Sequence, residues 1–402
     1  MKIVLVNIGA LISGNWREPF VRGDAVVIDE GKLSSVGQAS DSEIDAAKLV
    51  IDVDGMTVLP GLIDSHVHIT FGDYTPRQKT VGFLESYLHG AITSCISASE
   101  IHVPGRPADP AGICALALAA QRCFADYRPG GMRVYAGSVI MEPGLEEHHF
   151  KELAAEGVWH SKVGFGAFEK PADVTPIVKY AQKHGFKVMC HTGGASIPGS
   201  QPITADDLVT MAPDIAGHVN GGPVALSDNG LERIVCETDM ALQIAQAGNI
   251  RSSALVVNLA EKYAQYDRVM ISSDTPTGTG VMPLGVIKSL TEMATLTDVE
   301  PERILAASTG NCTRVYGLSA GLMEPGMDAD VAIIDAAQGC TQPDALSAMK
   351  NGDIPAVAGV ISNGIPRFLG KSRNTPPPTR TLKIVKNECI ASFREEGVHH
   401  CC

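Results

Sequence analysis

The chain has 402 residues, 45% of them hydrophobic and 19% charged, with a mean hydropathy of +0.09. That is an ordinary globular composition, and the length suits one large domain plus a smaller one. A formal net charge of -13 and a pI of about 5.4 argue against nucleic acid or an anionic membrane surface as partner. No apolar run approaches the roughly 18 residues of a membrane span. The ten cysteines form no Cys-x-x-Cys pair, so the expectation is a cytoplasmic chain with reduced thiols.

In chain order, the opening Met1-Lys2-Ile3-Val4-Leu5-Val6 reads as a strand rather than a secretion signal, because no small-residue cleavage site follows it. Residues 1–57 contain short strand-like runs at 3–6, 25–28 and 49–53, broken by Gly, Asp and Asn. From 58 the texture changes. Apolar runs at 57–69, 91–97, 132–141, 157–164, 187–191, 215–219, 240–244 and 268–274 alternate with longer stretches, such as 111–127 and 175–184, whose spacing suits amphipathic helices. Eight strand–helix repeats predict an α/β chain with a (β/α)8 TIM barrel over 58–318. Beyond it, the turn-rich 321–330 leads into a strand at 331–335, and a strand at 357–361 precedes the hairpin signal Asn363-Gly364. The two chain ends look alike, which predicts that 1–57 and 319–370 build one small β-sandwich domain. Residues 371–402, with Pro376-Pro377-Pro378, read as an extended arm and a tail ending in His399-His400-Cys401-Cys402.

A barrel of this kind carries its active site at the C-terminal ends of its strands. The first run ends in Asp64-Ser65-His66-Val67-His68, and a period of two puts both imidazoles on one face. The fourth run carries Lys162, the fifth ends in His191, the sixth contains His218, and the eighth ends in Asp274. One such histidine is ordinarily a satisfied core or surface residue; four of them and an Asp, each at a strand end, point to a metal site. Imidazole and carboxylate without cysteine favour zinc, with iron and manganese as alternatives. The set is generous for one ion and suits two divalent ions.

This pattern resembles that of the amidohydrolase superfamily. The resemblance runs from Pro60-Gly61-Leu62-Ile63-Asp64-Ser65-His66-Val67-His68 through His191, His218 and Asp274 to Gly321, Pro325-Gly326 and Ala329-Asp330, nearly the whole chain. It implies that His66 and His68 hold the more buried metal and His191 and His218 the more exposed one. It implies that Asp274 ligates the first metal and moves the proton between an attacking, metal-bridging hydroxide and the leaving nitrogen. Members with two metals bridge them by a Glu or a CO2-carboxylated lysine at the end of the fourth strand. Here that position is Lys162: a buried lysine loses its charge, and the neutral amine reacts with CO2 to give an anionic carbamate with two oxygens. Glu169 is the lesser alternative.

Several further segments, among them Gly72-Asp73-Tyr74-Thr75-Pro76-Arg77, Pro104-Gly105-Arg106-Pro107 and Asp274-Thr275-Pro276-Thr277-Gly278, resemble the enamidases. These amidohydrolases open the lactam ring of 6-oxo-1,4,5,6-tetrahydronicotinate in anaerobic nicotinate breakdown, and they carry a Glu where this chain has Lys162. The resemblance implies hydrolysis of a cyclic amide C–N bond in a carboxylated small molecule by a homo-oligomer, a tetramer. Tyr74, Arg77 and Arg106 are the candidate partners of the substrate carboxylate. The alternatives are another cyclic amidase of dihydroorotase or hydantoinase type, an N-acyl amino acid hydrolase, or a deaminase. A non-catalytic barrel is the remote alternative, and it should lack some of the ligands present here.

Overall fold

The computed structural model describes residues 1–68, 77–100, 105–195, 199–222, 224–276, 280 and 282–388, without the side chains of 77–81. Two five-stranded sheets are woven from both ends of the chain. One runs in the order Lys383–Asn387, Leu49–Asp52, Ile3–Val6, Ala25–Asp29, Lys32–Gly37, and the other in the order Ile365–Leu369, Ala356–Ser362, Val331–Asp335, Thr57–Pro60, Ala10–Leu11. Alternating apolar residues drive their meeting. Ile3, Leu5, Val26 and Ile28 of the first sheet share one buried cluster with Val58, Val331, Ile333 and Ile361 of the second. Each such fully buried side chain contributes about 1.5–3 kcal/mol.

The expected run 57–69 is not one strand. Thr57–Pro60 pairs antiparallel with Val331–Asp335, whereas Leu62–Val67 pairs parallel with Ile92–Ser97. The change happens at Gly61, whose N–H goes to the Asp330 carbonyl while that of Leu62 goes to the Ala91 carbonyl. A Cβ at Gly61 would lie 2.2 Å from Thr93 Oγ1, so only glycine fits the crossing.

The middle of the chain alternates parallel strands with helices. Leu62–Val67, Ile92–Ser97 and Arg133–Tyr135 make a three-stranded sheet, and Val139–Ile140, His160–Val163, Lys187–His191, Ile215–Gly217, Ala241–Ala245 and Val269–Ser272 a six-stranded one. The expected run 132–141 is therefore interrupted. At the break the buried Glu100 carboxylate accepts the N–H groups of Gly137 (2.6 Å) and Ser138 (3.0 Å), and Gly137 has φ +99°. The outer ends of the two sheets also meet: Asp274 N–H donates to the His66 carbonyl at 2.9 Å, and His68 N–H to that of Thr275 at 2.8 Å. Ile63, Ile96, Met189, Ile215, Ala241 and Met270, one from each of six parallel strands, form a common apolar cluster.

The helices expected at 111–127 and 175–184 are Pro110–Ala125 and Thr175–Lys183. The first starts where Asp109 accepts the Gly112 N–H and proline takes the first helical position. Part of the expected extended arm 371–402 pairs with a sheet. Lys383–Asn387 becomes the edge strand beside Leu49–Asp52. Its Ile384 and Val385 are exposed, so backbone bonds hold it without an apolar signature. Among the described residues no helix is long and apolar enough to cross a membrane. The tail His399–Cys402 lies outside the described residues.

Candidate metal centre

The parallel strands bring their C-terminal residues to one end. His66 lies on Leu62–Val67 and His68 directly follows it. Asp274 follows Val269–Ser272 with a left-handed backbone, φ +59°. Such a conformation is uncommon for a residue with a side chain. Here the bond from Asp274 N–H to the His66 carbonyl holds it in place. One oxygen, Oδ1, lies 3.3 Å from His66 Nε2 and 3.2 Å from His68 Nε2. The three potential ligand atoms all lie within 4.8 Å of one another.

A second pair stands beside this group. His191 ends its strand, and His218 follows Ile215–Gly217 with φ +36°. His191 Nδ1 and His218 Nε2 are 3.0 Å apart, and the His218 ring lies 5.4 Å from that of His66. His191 Nε2 sits 2.5 Å from the Gly194 carbonyl, which only accepts. That nitrogen therefore carries the proton, and Nδ1 keeps the lone pair. Lys162 reaches in from His160–Val163, with Nζ 3.1 Å from His66 Nε2 and 3.3 Å from Met189 Sδ.

Burial sets the electrostatics. It drives His66 and His218 well below the ordinary imidazole value, with Lys162 the next cause for His66 and His191 for His218, and it brings His191 down to about 4. Burial also pushes Lys162 down to about 8, against the pull of the Asp274 carboxylate. For Asp274 burial works the other way, but the imidazoles of His66, His68 and His218 outweigh it and hold the carboxyl well below its usual range. Burial thus favours the neutral imidazole at His66, His191 and His218, the protonation state in which a histidine binds a metal. The donor set, imidazole and carboxylate without thiolate, fits a divalent ion such as zinc.

The structure thus brings together His66, His68 and Asp274, sets His191 and His218 against each other, and places Lys162 between the groups. Arg106 lies elsewhere on the same rim. Its Nη2 is 2.5 Å from Glu142 Oε1, and its guanidinium lies over the Phe165 ring at 4.9 Å. Tyr74 lies outside the described residues; Arg77 opens the helix Arg77–Leu88, and its side chain is likewise outside them. Glu169 is exposed, seven residues past Lys162, whereas Lys162 itself is only 2% exposed.

Sequence reasoning missed the residues behind the histidines. Gln243 Oε1 meets His66 Nδ1 at 2.7 Å, and Ser99 Oγ meets His68 Nδ1 at 2.7 Å. A lone amide inside the otherwise apolar Ala241–Ala245 was the available signal.

No family model matches the chain. It is 43% identical over 385 residues to the enamidase of Eubacterium barkeri, covering 96% of this chain and all of that protein. The crystal structure of enamidase, described as a new member of the amidohydrolase superfamily, superposes with a TM-score of 0.90 over 96% of this chain and all of that one. D-hydantoinase, at 14% identity and a TM-score of 0.64 over 94% of this chain and 97% of that one, shares the fold. The chain belongs to the enamidase family within the amidohydrolase superfamily.

Proposed function

We propose that the protein is a metal-dependent hydrolase that opens a carboxylated cyclic amide at its C–N bond, with 6-oxo-1,4,5,6-tetrahydronicotinate as the substrate to try first. The observation that carries this reading is the convergence of His66, His68 and Asp274 within 4.8 Å, in a chain 43% identical to enamidase over 96% of its length. We read residues 58–318 as one closed eight-stranded barrel, and 1–57 with 319–370 as a β-sandwich beside it. The two contacts between the strand ends at His66–Asp274 and His68–Thr275 support closure.

His66, His68 and Asp274 would hold one divalent ion, zinc on the donor set, and His191 with His218 a second. Bound there, such ions acidify a water and polarise the amide carbonyl. Asp274, ionised in its ring of imidazoles, accepts the proton of the attacking water and delivers it to the ring nitrogen as the C–N bond breaks. The products are a carboxylate and an amine; an enamine product tautomerises to an imine and hydrolyses to an aldehyde and ammonia. Lys162, with its amine brought to about 8, has a neutral fraction near neutrality. Its neutral amine would add to CO2 and the nitrogen would lose one proton, giving an anionic carbamate whose oxygens could serve the divalent ions. Arg106 has a buried Nη1 with no hydrogen-bond partner among the described residues, and this donor suits the substrate carboxylate.

The test is a panel of lactams, hydantoins, dihydroorotate and N-acyl amino acids with the zinc-loaded protein. Turnover of the oxo-tetrahydronicotinate, abolished by a chelator and restored by zinc, is the expected result. Good turnover of another cyclic amide with none of this one overturns the substrate assignment. Labelling with 13C-bicarbonate should give a carbamate signal that Lys162→Ala lacks; without that signal Lys162 is not the bridge.

A further inference from the structure

Gln243 is fully buried on Ala241–Ala245, and its amide meets two consecutive residues of another strand. Its Nε2 donates to the Ser65 carbonyl at 3.0 Å and to Ser65 Oγ at 2.8 Å, while its Oε1 lies 2.7 Å from His66 Nδ1. A carbonyl only accepts, so the amide nitrogen must face Ser65 and the amide oxygen must face His66. An amide oxygen also only accepts, so His66 Nδ1 carries the proton. The Nε2 lone pair is then left facing Lys162 Nζ at 3.1 Å and Asp274 Oδ1 at 3.3 Å.

That arrangement has a consequence for the site. An imidazole free to choose would put its proton on Nε2 and donate it to the Asp274 carboxylate. Held the other way, His66 sets an acceptor lone pair against an acceptor oxygen, a pairing that favours a cation between them. At His68 the Ser99 hydroxyl, 2.7 Å from Nδ1, either donates or accepts and so does not by itself fix that ring's tautomer. His191 is fixed with the opposite nitrogen protonated, by the Gly194 carbonyl.

We propose that Gln243 is a positioning residue that locks His66 in the Nδ1–H tautomer and so keeps Nε2 open for the metal, an inference that rests on the reading of His66 as a ligand. Second-partner bonds of this kind to a ligating histidine govern metal affinity by about 10–100-fold. Gln243→Met, close in volume but without the amide, frees His66 to turn its proton toward Asp274.

Two measurements test this without substrate. Long-range 1H–15N correlation on the metal-free, unsubstituted protein should show His66 as the Nδ1–H tautomer; an Nε2–H tautomer overturns the proposal. Competition for zinc against a chromophoric chelator should show Gln243→Met about 10–100-fold weaker than the unsubstituted protein. Gln243→Glu, which keeps an acceptor oxygen for Nδ1–H, should recover most of that loss. Unchanged zinc affinity in folded Gln243→Met, or Gln243→Glu as weak as Gln243→Met, also overturns it. A packing role alone would lower the melting temperature and leave the tautomer and the zinc affinity where they were. Should Gln243→Met not fold, the tautomer in the unsubstituted protein decides. Failure to turn over any lactam would count against the proposed function and leave both readouts standing.

Discussion

Asp274 gathers two imidazoles on one oxygen and reaches them from a backbone conformation that most residues avoid. Asp274→Asn keeps the shape and removes the base. It should lower kcat by about 10²–10⁴-fold, with KM little changed, in steady-state kinetics of the zinc-loaded protein. A second carboxylate makes a prediction about stability. Burial pushes Glu100 up to about 7, against the N–H groups of Ser138 and Gly137. Its unfolded value is about 4.3, so the folded state holds an extra proton between those values. The stability this contributes is full below the unfolded value and is lost as pH rises through 7. Glu100→Gln removes that slope. Relative to the unsubstituted protein, its unfolding free energy should gain up to about 1.4 kcal/mol per pH unit across the window and then level off. Urea unfolding at several pH values reads this directly, and parallel curves for the two proteins would contradict it. At this scale the histidines and Asp274 could be found from their places at strand ends. Gln243 gave a signal as a lone amide in an apolar strand, but no local pattern names its partner, nor those of Ser99 and Glu100 beyond the end of Ile92–Ser97.

At the scale of elements, two features of the parallel sheets depend on contacts between distant segments. Gly61 lets one apolar run leave the sheet of Val331–Asp335 and enter that of Ile92–Ser97. An alanine there would drive its Cβ into Thr93, with Oγ1 at 2.2 Å and Cγ2 at 2.4 Å. Gly61→Ala should cost about 1–3 kcal/mol in thermal or urea unfolding. Adding Thr93→Ala should return part of it, because Thr93 Cβ, at 2.8 Å, remains. The break between Arg133–Tyr135 and Val139–Ile140 is the other feature, where a side chain, Glu100, takes the bonds a neighbouring strand would have taken. Periodicity located these runs well, since each buries apolar residues. It could not see the switch or the break, since both depend on atoms about 30 or more residues away in sequence.

Across the whole molecule, Asp328 ties the parts together. It accepts from Lys32 Nζ at 2.6 Å, pairs with Arg133 Nη2 at 2.6 Å, and accepts from Ser319 Oγ at 2.5 Å. Lys32 belongs to the sheet of the N-terminal segment and Arg133 to the parallel strands. Asp328→Ala leaves the largely buried Arg133 guanidinium without this carboxylate and should cost about 3 kcal/mol. Differential scanning calorimetry should show a lower melting temperature; an unchanged one would mean the pair contributes nothing net. By itself the sequence determined the alternation of strands and helices, the likeness of the two chain ends, and five side chains of the candidate centre, because apolar periodicity and strand-end chemistry are local properties. Only the tertiary structure decided which nitrogen of each imidazole faces the centre, where Lys162 stands among them, and that the last strand returns to the edge of the first sheet. Those outcomes depend on hydrogen bonds between residues far apart in the chain, whose distances no local pattern specifies.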